Sequence, residues 1–116
     1  MTAVTFRLDP ALDGLALARR WMETRFSGGL PERLRAWPVR VEHGLIDVAC
    51  EIDPGHANFV GLVHGGVTAA LIDMAGGGVA MTLLQPGETL LTTDLTLRFL
   101  NAAPIECGRL TAQGRL

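Results

Sequence analysis

Between residues 67 and 84 the chain is built from Ala, Leu, Ile, Met, Val, Gly and Thr, and the only ionisable side chain in that stretch is Asp73. Such a run reads as a long helix buried all round. Burying a charge without a partner is costly, so a carboxylate there points to an ion pair, a capping bond or a chemical role. At about 3.6 residues per turn, Gly66, Ala69, Ala70, Gly76, Gly77 and Ala80 fall near the face that carries Asp73, while Val67, Leu71, Ile72 and Val79 lie toward the other. The pattern predicts one bulky face that packs and one flat face that a ligand, a second subunit or a sheet approaches closely.

Gly65 and Gly66 stand where this helix begins. The first amides of a helix have no partner inside it, and together with the helix dipole they favour negative charge or a carbonyl oxygen about to become negative. Without Cβ atoms in the way, that is an oxyanion hole in outline. Asp73 follows about 12 Å along the axis at about 1.5 Å per residue. One chain is therefore not expected to hold both halves of a site, whereas two antiparallel copies of the helix would set Gly65 of one beside Asp73 of the other.

The stretch from Asn58 through His64-Gly65-Gly66 to Asp73 has the form N-x-x-G-x-x-H-G-G followed by an acid-bearing helix. It resembles the corresponding segment of PaaI-like hotdog-fold acyl-CoA thioesterases. The similarity extends forward through Thr92-Thr93-Asp94-Leu95-Thr96-Leu97-Arg98-Phe99-Leu100 and back to the strand at residues 45–53. The resemblance implies an α+β hotdog fold, a long central helix wrapped by an antiparallel β-sheet, acting on an acyl-CoA as a homodimer or dimer of dimers. It implies that Gly65 supplies the oxyanion amide, that Asp73 acts as base or nucleophile, that Asn58 places the water or thioester, and that Thr92 assists. Val63 and Gly66 are expected to line the substrate site. His64 either contacts the thioester or its leaving group, or holds the glycines as a turn histidine.

Other chemistries find little support. Ser27, the only serine, lies in Phe26-Ser27-Gly28-Gly29 and not in a G-x-S-x-G elbow. There is no lysine, which closes Schiff-base chemistry through that side chain. Gly76-Gly77-Gly78 is mid-helix, and no G-x-G-x-x-G or Walker pattern occurs. His43, His56 and His64 are too irregular for a zinc pattern, and no metal or organic cofactor is expected. His56, in the Pro54-Gly55-His56 loop, is expected to be solvated. Cys50 falls on the apolar side of the alternation Ile46, Val48, Cys50, Ile52 and is expected in the core; Cys107, after Pro104, belongs to a turn.

A formal net charge of -2 over 116 residues implies no general attraction for nucleic acid. The apolar run from 60 to 84 is long enough to span a bilayer, but it contains His64, Asp73 and many glycines and lacks flanking arginines, so no membrane span is expected. The start carries no signal-like segment, which suggests a cytoplasmic protein.

Along the chain, Asp9-Pro10 predicts a helix cap followed by a helix over residues 11–26, with Leu12, Leu15, Ala16 and Met22 as its packing stripe and Arg19, Arg20, Glu23 and Arg25 supplying charge. That charge is expected to be a solvated face, with a CoA phosphate site as the rival assignment. Gly28-Gly29 stops the helix. Strands are predicted over 39–42 and 45–52 around a His43-Gly44 turn, over 90–100 and over 109–116, all in a single domain in which residues 1–37 form a helical extension. Hotdog domains of this type continue with two further strands after the last of these, between it and the 90–100 strand, so the sheet is expected to be incomplete and to carry unpaired edges. The function expected is hydrolysis of an acyl-CoA thioester. The alternatives are a module that binds acyl-CoA without cleaving it and, ranked lower, a hotdog dehydratase.

Overall fold

The computed structural model describes residues 7–25 and 28–116. In chain order the elements are α1 (Gly14–Thr24), α2 (Gly29–Leu34), β1 (Ala36–Glu42), β2 (Leu45–Glu51), α3 (Gly65–Met81) and β3 (Arg109–Arg115), with single 3-10 turns at Pro54–His56 and Ile105–Cys107. The three strands form an antiparallel sheet in the order β1-β2-β3.

The sheet is organised by β2, whose alternation puts Ile46, Val48 and Cys50 wholly out of solvent. Glu42 pairs with Leu45 across the two-residue His43-Gly44 turn, where Gly44 takes φ +76°, a conformation that strains any residue with a Cβ. β1 begins at Ala36, three residues before its expected start, and carries Pro38. A proline has no amide to give to a ladder, so it is tolerated on an edge strand, and the register slips between Pro38 and Arg40. On the other side β3 pairs with β2 without interruption from Leu45↔Arg115 to Glu51↔Arg109.

α3 lies across this sheet, and its burial corrects the expectation of a helix buried all round. Val67, Leu71, Ala75 and Gly78 form the single buried stripe, whereas Ile72, Gly76 and Ala80 are exposed and Val79 is half-buried. The bulky face expected to pack therefore loses Ile72. The inward-facing residues of β3 shrink along the strand, Leu110, Ala112, then Gly114. At Gly114 a Cβ would come within 2.5 Å of the Ala75 carbonyl oxygen, and at Gly78 a Cβ would come within 2.7 Å of Ile46 Cδ1. Helix and sheet thus touch through glycines at this end, and toward Leu110 they part. The C-terminal end is tied down by Thr82, buried, whose hydroxyl donates to the Val79 carbonyl at 2.7 Å and accepts from the Gly44 amide at 2.8 Å.

α1 starts at Gly14 with Asp13 as its cap, Oδ1 accepting from the Ala16 amide at 2.8 Å. Asp9 instead closes a turn, accepting from the Ala11 amide. The later start follows from packing: any Cβ at position 14 would collide with the Met81 carbonyl, and the Gly14 amide donates to the Leu84 carbonyl at 2.9 Å. The fully buried residues of α1 are accordingly Gly14, Leu17 and Ala18, while Leu15 and Met22 of the expected stripe pack against the core half-buried. Phe26 and Ser27, at the expected end of this helix, lie outside the described residues. α2, one and a half turns long, was not expected after the glycine pair.

Residues 90–100 form no strand, although their sequence alternates. A strand's hydrogen bonds are supplied by its neighbour, and among the described residues neither this segment nor the outer edge of β3 has one. Leu91, Leu100 and Phe99 are 89%, 83% and 59% exposed. The segment is anchored at its far end, where the Val63 amide donates to the Ala103 carbonyl at 2.9 Å and Leu62 bridges to Pro104.

Candidate active site

The N-terminus of α3 presents a single open amide. His64 is the N-cap, and its Nδ1 accepts from the Gly66 amide at 2.8 Å. The His64 carbonyl accepts from Val67 at 2.9 Å and from Thr68 at 3.4 Å. Of the first four helical amides, only that of Gly65 donates to no group among the described residues. Since Nδ1 accepts, a neutral His64 carries its proton on Nε2. Gly66 is explained by the same cap, because a Cβ there would lie 3.1 Å from the His64 Nδ1.

The loop leading to this point is held by Asn58, whose Oδ1 accepts from the Val60 and Leu62 amides, each at 3.0 Å, around Gly61 at φ +82°. Val63, buried, and Gly65 face a cavity of about 570 Å³ that opens where α3 and β3 diverge, with Phe99, Leu110 and Ala112 on its other walls. Asn58, Val63, His64, Gly65 and Gly66 are thus brought to one end of α3.

Asp73 and Thr92 meet further along the helix. Asp73 is half-buried, and the Thr92 hydroxyl donates to its Oδ1 at 2.7 Å. The bond fixes one carboxylate oxygen and leaves Oδ2 to accept elsewhere. Both residues line a cavity of about 400 Å³ between α1, α3 and residues 88–92, walled by Leu17, Trp21, Met74, Met81, Leu84 and Leu90. On its other side Asp73 borders a smaller cavity of about 270 Å³, floored by Gly76, Gly77 and Ala80. The flat face of the helix is therefore the face on which space opens beside the carboxylate. The Trp21 indole Nε1 is buried and has no hydrogen-bond partner among the described residues. From Gly65 to Asp73 is about 12 Å of helix, and no cavity described is lined by both.

A second constellation, not foreseen in the sequence, imitates a nucleophile triad. Cys50 Sγ lies 3.8 Å from His56 Nε2, and His56 Nδ1 lies 3.2 Å from Asp53 Oδ1. Its hydrogen bonds give it a structural role. His56 is buried, not solvated as expected, with Nδ1 accepting from the Asp53 amide at 3.0 Å and Nε2 meeting the Leu34 carbonyl at 2.8 Å. The imidazole thereby completes the capping box of the Pro54–His56 turn, in which Asp53 Oδ1 accepts from the Gly55 amide at 2.7 Å. The Cys50 thiol also donates to Leu34 O, at 3.1 Å. Burial, reinforced by the Asp53 charge, raises its pKa from 9.0 to about 11, so it is a thiol at neutral pH. The signal that could have revealed the group is local: D-P-x-H is an Asp cap followed by a proline and a residue able to reach back.

The basic side chains are dispersed. Arg25 stacks over Trp37 at 4.2 Å, Arg35 faces Glu51 and Asp53, Arg109 pairs with Glu51, and Arg115 with Asp47 at 2.8 Å. Arg19 and Arg20 are exposed on α1. Cys107 is exposed, and Cys50 belongs to the core. Among the described residues no helix is long and apolar enough to cross a membrane, and no three of His, Cys, Asp or Glu cluster as a metal would need.

A family model of the Thioesterase superfamily matches residues 60–116, just under half of the chain, taking in α3, the 90–100 segment and β3. Among solved structures, the crystal structure of zebra fish thioesterase superfamily member 2 is similar, with a TM-score of 0.66 at 23% identity over 88% of this chain and 73% of that one. No curated protein matches it. The architecture is the hotdog fold, a long helix against an antiparallel sheet that here has three strands.

Proposed function

We propose that this protein hydrolyses an acyl-CoA thioester, of the PaaI-like kind, at a site shared between two copies of the chain. The observation that carries the reading is the pairing of an oriented carboxylate, Asp73 with Thr92, in a mostly apolar cavity, with a lone open amide at the start of the same helix. The family match over the segment that bears both supports it. In an antiparallel dimer Gly65 of one copy lies beside Asp73 of the other. The exposed apolar residues of the 90–100 segment and the open flank of α3 supply a surface for that association.

The chemistry then follows. The thioester carbonyl oxygen accepts from the Gly65 amide at the positive end of the α3 dipole, which stabilises the oxyanion as the carbonyl carbon becomes tetrahedral. Asp73, held by Thr92, takes a proton from the attacking water; when the intermediate collapses, the C–S bond breaks and the proton passes to the departing thiolate. The products are the free acid and CoA thiol. Gly66 and His64 act as the cap that aims the Gly65 amide, Asn58 holds the loop before it, and Val63 walls the approach.

The test is release of free thiol from a panel of acyl-CoAs by the chain and by Asp73→Asn. Turnover that disappears in a folded mutant supports the reading. Saturable acyl-CoA binding with no turnover in either protein would favour a binding module instead.

A further inference from the structure

We infer that the acyl group of the substrate lies along α3 in the cavity between α1 and α3, and that the protein selects uncharged acyl chains of medium length. The inference rests on the proposed thioesterase reading and adds to it the place and class of the acyl group. The cavity starts at the Asp73–Thr92 pair and follows α3 through Met74, Gly77 and Gly78 to Met81 and Leu84. Eight residues of helix separate Asp73 from Met81, about 12 Å at 1.5 Å per residue. An extended hydrocarbon advances about 1.25 Å per carbon from a bond of about 1.5 Å, so the length matches a chain of roughly eight to ten carbons. The volume, about 400 Å³, is well over twice that of a 150 Å³ cavity able to hold benzene.

The walls define the class. Among the described residues that line the cavity, the one charged side chain besides Asp73 is Glu88, whose Oε1 is engaged by the Gln85 amide at 2.7 Å. Two carboxylates and no basic group disfavour an acyl chain ending in a second carboxylate. Gly77 is the lining position where bulk can be added: a Cβ there meets only Leu90 Cδ1, at 3.8 Å, an ordinary van der Waals contact. Leu84, three residues beyond Met81, lines the same space together with Leu17 and Trp21 of α1.

The experiment compares kcat/KM for butyryl-, octanoyl-, decanoyl-, palmitoyl- and glutaryl-CoA in the wild-type chain, Gly77→Leu and Leu84→Ala. Wild type should favour octanoyl- and decanoyl-CoA and discriminate at least tenfold against glutaryl-CoA. Gly77→Leu should lower the decanoyl-to-butyryl ratio at least tenfold, and Leu84→Ala should move the optimum to longer chains. A second readout does not depend on turnover. In a Trp37→Phe background Trp21 is the sole tryptophan, and decanoyl-CoA should change its fluorescence saturably, with the change lost on adding Gly77→Leu. Fluorescence that responds without any thiol release would overturn the hydrolase reading and keep the pocket. Turnover whose length profile is untouched by both variants, with a silent Trp21, would overturn the pocket and keep the hydrolase.

Discussion

The molecule holds two acid-centred clusters of similar chemical promise and opposite character. Around Asp53, a histidine and a cysteine stand at triad-like distances, but the thiol and both ring nitrogens are spent on the backbone of the Leu34 and Asp53 segments, and the thiol is sealed in the core. Around Asp73 there is only a threonine, yet one carboxylate oxygen is fixed, the other is open to a partner, and cavities lie on both sides. Residue types within reach do not make a site; an unspent atom facing space does.

That contrast can be broken by mutation. The largest effect is expected at Asp73→Asn, which should reduce thioester turnover about 10²–10⁴-fold, the range for losing a positioned proton-transfer group, while circular dichroism and melting stay close to wild type. His56→Ala should do the reverse, costing about 2–4 kcal/mol of stability through a buried cavity and lost hydrogen bonds, measurable by urea unfolding, with turnover per folded molecule retained. If His56→Ala removed turnover from folded protein, the two clusters would have been assigned the wrong way round. Thr92→Val keeps the shape and removes the bond to Asp73; about a tenfold loss in kcat is expected, near the net worth of one charge-assisted hydrogen bond. Alkylation at pH 8 followed by mass spectrometry should label Cys107 and spare Cys50, whose reactivity should rise only as pH approaches about 11 or the protein unfolds.

The smallest effect concerns pH. The Asp53 carboxyl is held below its usual range, first by the Gly55 amide and then by the charges of His56 and Arg35. Its folded pKa is the lower one, so its contribution is present above the unfolded value of about 3.9 and is lost as pH falls through the folded value. The side chain is 40% exposed, so solvent screening limits the contribution to under about 1 kcal/mol. Asp53→Asn should therefore flatten the acid limb of a stability profile only below about pH 4.

Much of the frame was legible because it depends on local pattern. The alternation of β2, the His43-Gly44 hairpin and the span of α3 each follow from side-chain period and turn chemistry over a few residues. What the sequence obscured depends on contacts made at a distance. Asp9 and Asp13 are equally good caps in isolation, and the choice is made by Gly14 seating against Met81. Pro38 argues against a strand unless its edge position is known. The alternation of residues 90–100 has no ladder to join among the described residues. In the site, the spacing of Asn58, His64, Gly65 and Asp73 was visible, whereas the hydrogen bond between Thr92 and Asp73 joins residues nineteen positions apart and is seen only in the structure. That His64 consumes the Gly66 amide and leaves Gly65 alone could be seen only from the cap geometry.

The most direct measurement is complementation between two damaged chains. Gly65 occupies the first helical position, where proline is well tolerated, and His64 before it already has φ -61° and ψ 135°, so Gly65→Pro removes the open amide with little else. Each of Gly65→Pro and Asp73→Asn should be at least 100-fold impaired alone. Co-refolded in equal amounts, half the dimers are mixed and each holds one intact site, so about a quarter of wild-type activity should return. If both chains fold and associate but the mixture is no more active than its components, the site does not span two copies and the account is wrong.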